Sequence, residues 1–108
     1  MEKIPFSDLA KIELRTGKVL EATKLEGSEK LLKLLVDLGE EKRQILAGIQ
    51  QFYNPEELVG KTIIVVANLE YKQMAGSESQ GMMLAADGEG KPILLTTTEE
   101  VPPGTKIR

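Results

Sequence analysis

The stretch that most constrains this chain is Ile63-Ile64-Val65-Val66-Ala67, a short unbroken apolar run rich in β-branched residues. Such side chains are stiff at χ1 and suit a pleated strand covered on both faces. The run is too short for a buried helix of ordinary length. After Asn68 and Leu69 the pattern breaks into a polar stretch holding Lys72, Gly76, Ser77, Glu78, Ser79 and Gly81, and Met82-Met83-Leu84-Ala85-Ala86 then resumes the apolar character. Residues 61–86 are therefore predicted to be two buried strands joined through one polar loop, and the rest of the chain must supply the sheet that covers them.

Upstream, Ile12 to Lys24 reads as a long strand with Ile12 and Leu14 on one face and Glu13 and Arg15 on the other. Gly17 interrupts it and predicts a bulge or sharp bend. Glu26-Gly27-Ser28 makes a turn, after which Leu32, Leu34, Val36 and Leu38 alternate with Leu31, Lys33, Leu35 and Asp37, so the even set is predicted to face the core. Gly39-Glu40-Glu41 reverses the chain, and Lys42 to Ile49 returns as the partner strand, presenting Lys33, Gln44 and, depending on register, Lys42 or Arg43 on its exposed side. Asn54-Pro55-Glu56-Glu57 followed by Gly60 is a compact helix signal: a cap, a proline at the first helical position, and acids at the positive end of the dipole. Strand, hairpin, short helix, strand, loop, strand is the order of an OB-fold. This is an all-β, five-stranded Greek-key barrel, here with a short helix between strands three and four, whose ligand face lies on strands two and three and the flanking loops. One domain over 1–108 is expected, with residues 1–11 as an arm that packs Phe6 on the barrel. Residues 87–108 form an extension in which Asp87 to Lys91 is a turn-rich link without packing content and Pro92 to Thr98 is a β-like run.

The composition narrows the chemistry. The chain has neither cysteine nor histidine, which removes disulfides, thiolate nucleophiles, cysteine zinc sites and the commonest general base and metal ligand. Neither an enzyme nor a metal or cofactor site is expected. No stretch approaches a membrane span or the apolar core of a signal peptide, so a cytoplasmic location and no membrane partner are expected. A net charge of −3 and a pI near 5.1 differ from the basic balance usual in nucleic-acid binders. Any RNA contact must then use a local cluster of lysines and arginines, with the acids on other faces.

The loop pattern Asn68-Leu69, Gly76, Ser79, Gly81-Met82, directly after a hydrophobic strand, resembles the signature of the tRNA-binding domain family. That family includes the C-terminal domain, or separate β subunit, of methionyl-tRNA synthetases. Leu14 to Val19, Glu29 to Leu32, Ile45 to Ile49 and Tyr53 to Lys61 also resemble family blocks, in order and spacing, over Phe6 to Ala86. The resemblance implies tRNA as partner, a homodimer in which the extension helps two barrels pair, and a methionyl-tRNA synthetase catalytic chain as a further partner. It places Lys30, Ser79 and Met82 on the RNA face, with Asn68 in the same loop signature. A lysine can neutralise a phosphate, an amide or hydroxyl can bond a phosphate or 2′-OH, and a thioether gives an adaptable apolar contact. Arg15, Lys18, Lys33, Lys42, Arg43 and Lys72 are the basic residues that strand or loop position allows to join them. Each has a plain alternative: Ser79 satisfying backbone groups, Met82 as core, Asn68 as a turn organiser, and the basic residues as solvated surface charges. Glu29 stands where the family has aspartate, and Gln73 stands where it has a basic residue, which implies a weaker or differently aimed grip.

Aromatics make up 4% of the chain, and of Phe6, Phe52, Tyr53 and Tyr71 the two phenylalanines are expected to be buried. Base-by-base stacking is then not expected, and recognition of phosphate, ribose and overall shape fits better. The reading is a non-catalytic tRNA-binding protein, a subunit or domain of, or auxiliary to, methionyl-tRNA synthetase. The alternative is an export chaperone of the CsaA type that binds unfolded peptides, for which exposed Leu31, Leu35 and Met83 would matter more than lysines.

Overall fold

The first long strand serves two neighbours at once, and the barrel is built around it. In the computed structural model, which describes residues 1–108, the helical turn α1 (Phe6–Leu9) precedes β1 (Leu14–Lys24), β2 (Leu32–Asp37) and β3 (Lys42–Ala47). A second short helix, α2 (Pro55–Leu58), leads to β4 (Thr62–Val66), β5 (Lys72–Met74), β6 (Ser77–Ser79), β7 (Met82–Met83), β8 (Ala85–Gly88) and β9 (Lys91–Leu94). Residues 14–18 of β1 pair antiparallel with β4, and residues 18–24 pair with β2. The sheet order β3-β2-β1-β4-β7 is that of a nearly closed five-stranded barrel, as expected.

Leu32, Leu34, Val36 and Leu38 do face the core, where they meet Val19, Ile45, Ile63 and Val65, and α2 plugs one end with Leu58. The turn begins as its residues dictate, with Pro55 at the first position and the Asn54 N–H donating to Glu57 Oε1 at 3.2 Å. Gly17 has a different role from the bend predicted for it. The register of β1 shifts between Val19 and Glu21 instead. At position 17 an added Cβ would lie 2.4 Å from Val36 Cγ1 and 3.1 Å from Leu38 Cδ2. Glycine is there because two core side chains fill the space.

Three parts of the chain differ from expectation. The polar loop after β4 contains a hairpin, β5–β6, whose two-residue turn Ala75-Gly76 has φ of 48° and 81°. The fifth barrel strand is only β7, because the chain then peels off into a second hairpin, β8–β9, and the supposed link at 87–91 is its turn. This hairpin is anchored: Leu94 packs against the core, and Tyr53 Oη donates to the Pro92 carbonyl at 2.8 Å.

The chain's final segment lies along β1 where β2 has departed. Thr16 N–H donates to the Thr105 carbonyl at 2.9 Å, Gly104 N–H to the Thr16 carbonyl at 2.8 Å, and Ile107 N–H to the Leu14 carbonyl at 2.9 Å. Thr16 is fully buried beneath it, its Oγ1 donating to the Pro102 carbonyl and accepting from Thr105 N–H. This part of the extension therefore covers an edge of its own barrel. The arm does the reverse: α1 buries none of its residues, and Phe6, expected against the barrel, is 79% exposed. No helix is long and apolar enough to cross a membrane.

Candidate nucleic-acid interface

At one end of the barrel, two loops that are far apart in sequence are fastened together by a small apolar cluster. Leu25 and Leu31 come from the β1–β2 turn and Leu46 from β3, with Met74 of the β5–β6 hairpin packed against them. Gln50 secures the turn from below, its Nε2 donating to the carbonyls of Ser28 and Leu31 at 3.0 and 2.7 Å. These are the loops that flank the outer face of strands two and three. Lys30 adjoins Leu31, Lys33 is the cross-strand partner of Leu46, and Lys72 opens β5 two residues before Met74; all three are exposed.

The segment between β4 and β7 closes the barrel against the free edge of β3, largely through side chains standing in for a backbone ladder. Gln80 N–H donates to the Gln44 carbonyl at 2.8 Å, and Gln44 N–H donates back to Gln80 Oε1 at 3.0 Å. Leu46 N–H, buried, donates to Ser79 Oγ at 3.0 Å, and that hydroxyl donates to the Gly81 carbonyl. A groove of about 430 Å³ opens above this seam, lined by Leu69, Glu70, Lys72, Met74, Ser79, Gly81 and Met82. Met82 is 49% exposed on its rim. Apolar walls with one cation and one carboxylate at the mouth suit a ribose, a base or an aliphatic side chain.

The candidate residues divide between two ends of the molecule. Lys30, Lys33, Lys72, Ser79 and Met82 gather around the groove and the cluster. Ser79 is nevertheless only 5% exposed, and its hydroxyl is taken up by backbone groups. Asn68 organises the chain: its side chain accepts from Glu13 N–H at 2.8 Å and donates to the Lys11 carbonyl at 2.7 Å, tying the arm to the end of β4. The register settles which of Lys42 and Arg43 points with Lys33. Asp37 pairs with Lys42 and Val36 with Arg43, so Lys42 shares the outer face and Arg43 the inner. Lys42 and Lys18 lie on either side of Asp37, away from the groove. Arg15 is paired with Glu13 and donates to the Gly104 carbonyl.

A continuous cationic surface is not what the strands present. Glu21 shares the outer face with Lys33, Glu29 adjoins Lys30, and Glu70 lines the groove with Lys72, so lysines and carboxylates interleave. The sequence could not show this, because it is cross-strand register that brings Glu21 beside Lys33. Two further expectations are corrected. Phe52 is exposed, like Phe6. Leu31 is buried, and Leu35 and Met83 are half-buried, whereas the exposed apolar residues of this end are Leu69, Tyr71 and Met82. Sequence reasoning also missed Gln44 and Gln80, whose closing role has no local signal, and Lys24, exposed beside Leu25. No group of three or more acidic side chains is placed to share a metal ion.

Comparison with known proteins agrees with the fold. The family model for a tRNA binding domain matches residues 14–106. Methionine–tRNA ligase of Archaeoglobus fulgidus is 49% identical over 106 residues, 98% of this chain but 16% of the ligase. Its counterpart from Methanocella arvoryzae is 56% identical, over 97% of this chain and 15% of the ligase. The chain thus spans about one sixth of the length of the curated relatives it matches. Among solved structures, the MetRS related protein from Pyrococcus horikoshii matches with a TM-score of 0.94 and 42% identity over 100% of both chains. The chaperone CsaA of Bacillus anthracis matches with a TM-score of 0.91 and 34% identity, over 99% of this chain and 100% of that one.

Proposed function

This chain belongs to the tRNA binding domain family, and from that premise we propose that it holds tRNA without catalysing a reaction on it, as a domain, subunit or auxiliary of a methionyl-tRNA synthetase. The observation that carries the reading is the fastening of the two loops beside strands two and three into one unit, which keeps Lys30 and Lys33 beside the apolar cluster and Lys72 on the adjoining groove rimmed by Met82. This is where an OB-fold receives its ligand. Three separated cations suit phosphates along a curved backbone, and the groove suits one ribose or base beside Lys72. Interleaved carboxylates keep the long-range field weak, so affinity rests on fitted contacts and on pairing two such faces in a cytoplasmic homodimer. The arm supports that pairing better than the extension does, since Ile4, Phe6, Leu9 and Ile12 are all exposed apolar side chains.

The test is a titration with unfractionated tRNA at several salt concentrations. Three phosphate contacts per protomer predict that each engaged face contributes about −2 to −3 to the slope of log affinity against log salt. Lys30→Ala, Lys33→Ala and Lys72→Ala should each make it shallower by about 0.7 to 0.9 per engaged face. The apolar groove also favours a second reading, an extended peptide with an aliphatic side chain seated among Leu69, Met74 and Met82, in keeping with the CsaA likeness. A response to tRNA that is flat in salt, together with tight binding of an unfolded apolar peptide, would replace the first reading by the second.

A further inference from the structure

We propose that Arg43 is a positioning residue that latches the segment between β4 and β7 into its binding shape and does not itself meet RNA; this deepens, and rests on, the tRNA-binding reading. Three observations converge on it. Its guanidinium donates to the carbonyl of Ala67, where the segment leaves β4, and to that of Gln80 at 3.2 Å, where the segment returns to the barrel. The guanidinium carbon also lies 5.9 Å from the ring centroid of Tyr71, in the segment's middle. The same group is ion-paired with Glu41, and the side chain is only 18% exposed. A charge already neutralised and turned inward, opposite Val36, is poorly placed for a phosphate. A planar fork with donors in fixed directions is, however, suited to holding two carbonyls and one ring, which a lysine cannot do. The hairpin that carries Lys72 and one wall of the groove hangs between these anchor points.

The test compares the full chain with Arg43→Lys, Arg43→Gln and Tyr71→Leu, and with Lys72→Ala as a direct-contact control, all well below their unfolding midpoints. Amide hydrogen exchange over residues 68–80 should quicken in both Arg43 variants while β1 and β2 stay protected. Affinity for tRNA should fall about tenfold or more, as expected for hydrogen bonds to a charged group, with the salt slope unchanged. Lys72→Ala should instead make the slope shallower by about 0.7 to 0.9 per engaged face. Tyr71→Leu, which leaves the barrel untouched, should produce a smaller change of the same kind. Full affinity in Arg43→Lys would overturn the proposal, since the latch would then be structural only. A slope in Arg43→Gln as shallow as in Lys72→Ala would also overturn it, by making Arg43 a phosphate contact. If the wild-type chain shows no salt-dependent binding, the functional reading fails. The exchange measurement, which uses no RNA, still decides the latch: faster exchange supports it and unchanged exchange rejects it.

Discussion

Ser79 shows how one buried side chain can hold the barrel seam beneath the candidate face. Its oxygen is the partner of the buried Leu46 N–H and its hydrogen goes to the Gly81 carbonyl. Ser79→Ala should therefore strand a donor at the barrel seam and cost about 1–3 kcal/mol in urea unfolding. A loss below about 0.5 kcal/mol would mean that water or a backbone shift replaces the hydroxyl. Gly17 makes the complementary point about space. Gly17→Ala forces a methyl to within 2.4 Å of Val36 Cγ1, and overpacking of this kind costs about 1–3 kcal/mol. Val36→Ala alone also destabilises, but the pair should be markedly less damaging than the sum, because each change relieves the other. The identity of both residues is plain in the sequence, whereas what each does depends on neighbours from other strands. The glycine rule pointed to a bend and missed a contact.

At the level of elements, legibility follows the strength of local patterning. The even-numbered apolar set of β2, the β-branched run of β4 and the Asn54-Pro55 helix start each carry a periodic or capping signal, and each forms as read. The two late hairpins carried no such signal. Both turn on two residues with positive φ, Ala75-Gly76 and Glu89-Gly90, the conformation usually marked by Asn-Gly. Alanine and glutamate in the first position hide the turn, and their strands are too short and polar to alternate visibly. Alanine also fits that position poorly, as a left-handed conformation costs an ordinary L-residue about 1–2 kcal/mol, a cost that asparagine partly avoids. Ala75→Asn should therefore stabilise by about 0.5–1 kcal/mol and slow amide exchange across β5 and β6. The reverse result would mean that the turn is held by the barrel seam alone.

For the whole molecule, the central problem is that a chain with net charge −3 should attract a polyanion weakly. Folding does not solve this by segregating charge, since Glu21, Glu29 and Glu70 remain among the lysines of the candidate face. Weak faces can still grip one ligand firmly if two are joined, because the second engagement becomes intramolecular. The exposed row Ile4, Phe6, Leu9 and Ile12 lies on an arm that buries nothing in its own barrel, while the extension first assigned to pairing is used at home on β1. The proposed pairing through this row predicts that Phe6→Asp combined with Leu9→Asp gives a monomer in sedimentation, with the barrel still folded. Affinity for tRNA should drop by about 10²-fold, the lower end of what linkage commonly supplies, and the salt slope should roughly halve as one of the two faces is lost. A variant that remains dimeric would move the pairing surface to the β8–β9 hairpin, where Ile93 is exposed. A monomer that binds tRNA as tightly as the parent chain would show that one face suffices, and that lysine placement within it compensates for the acidic whole.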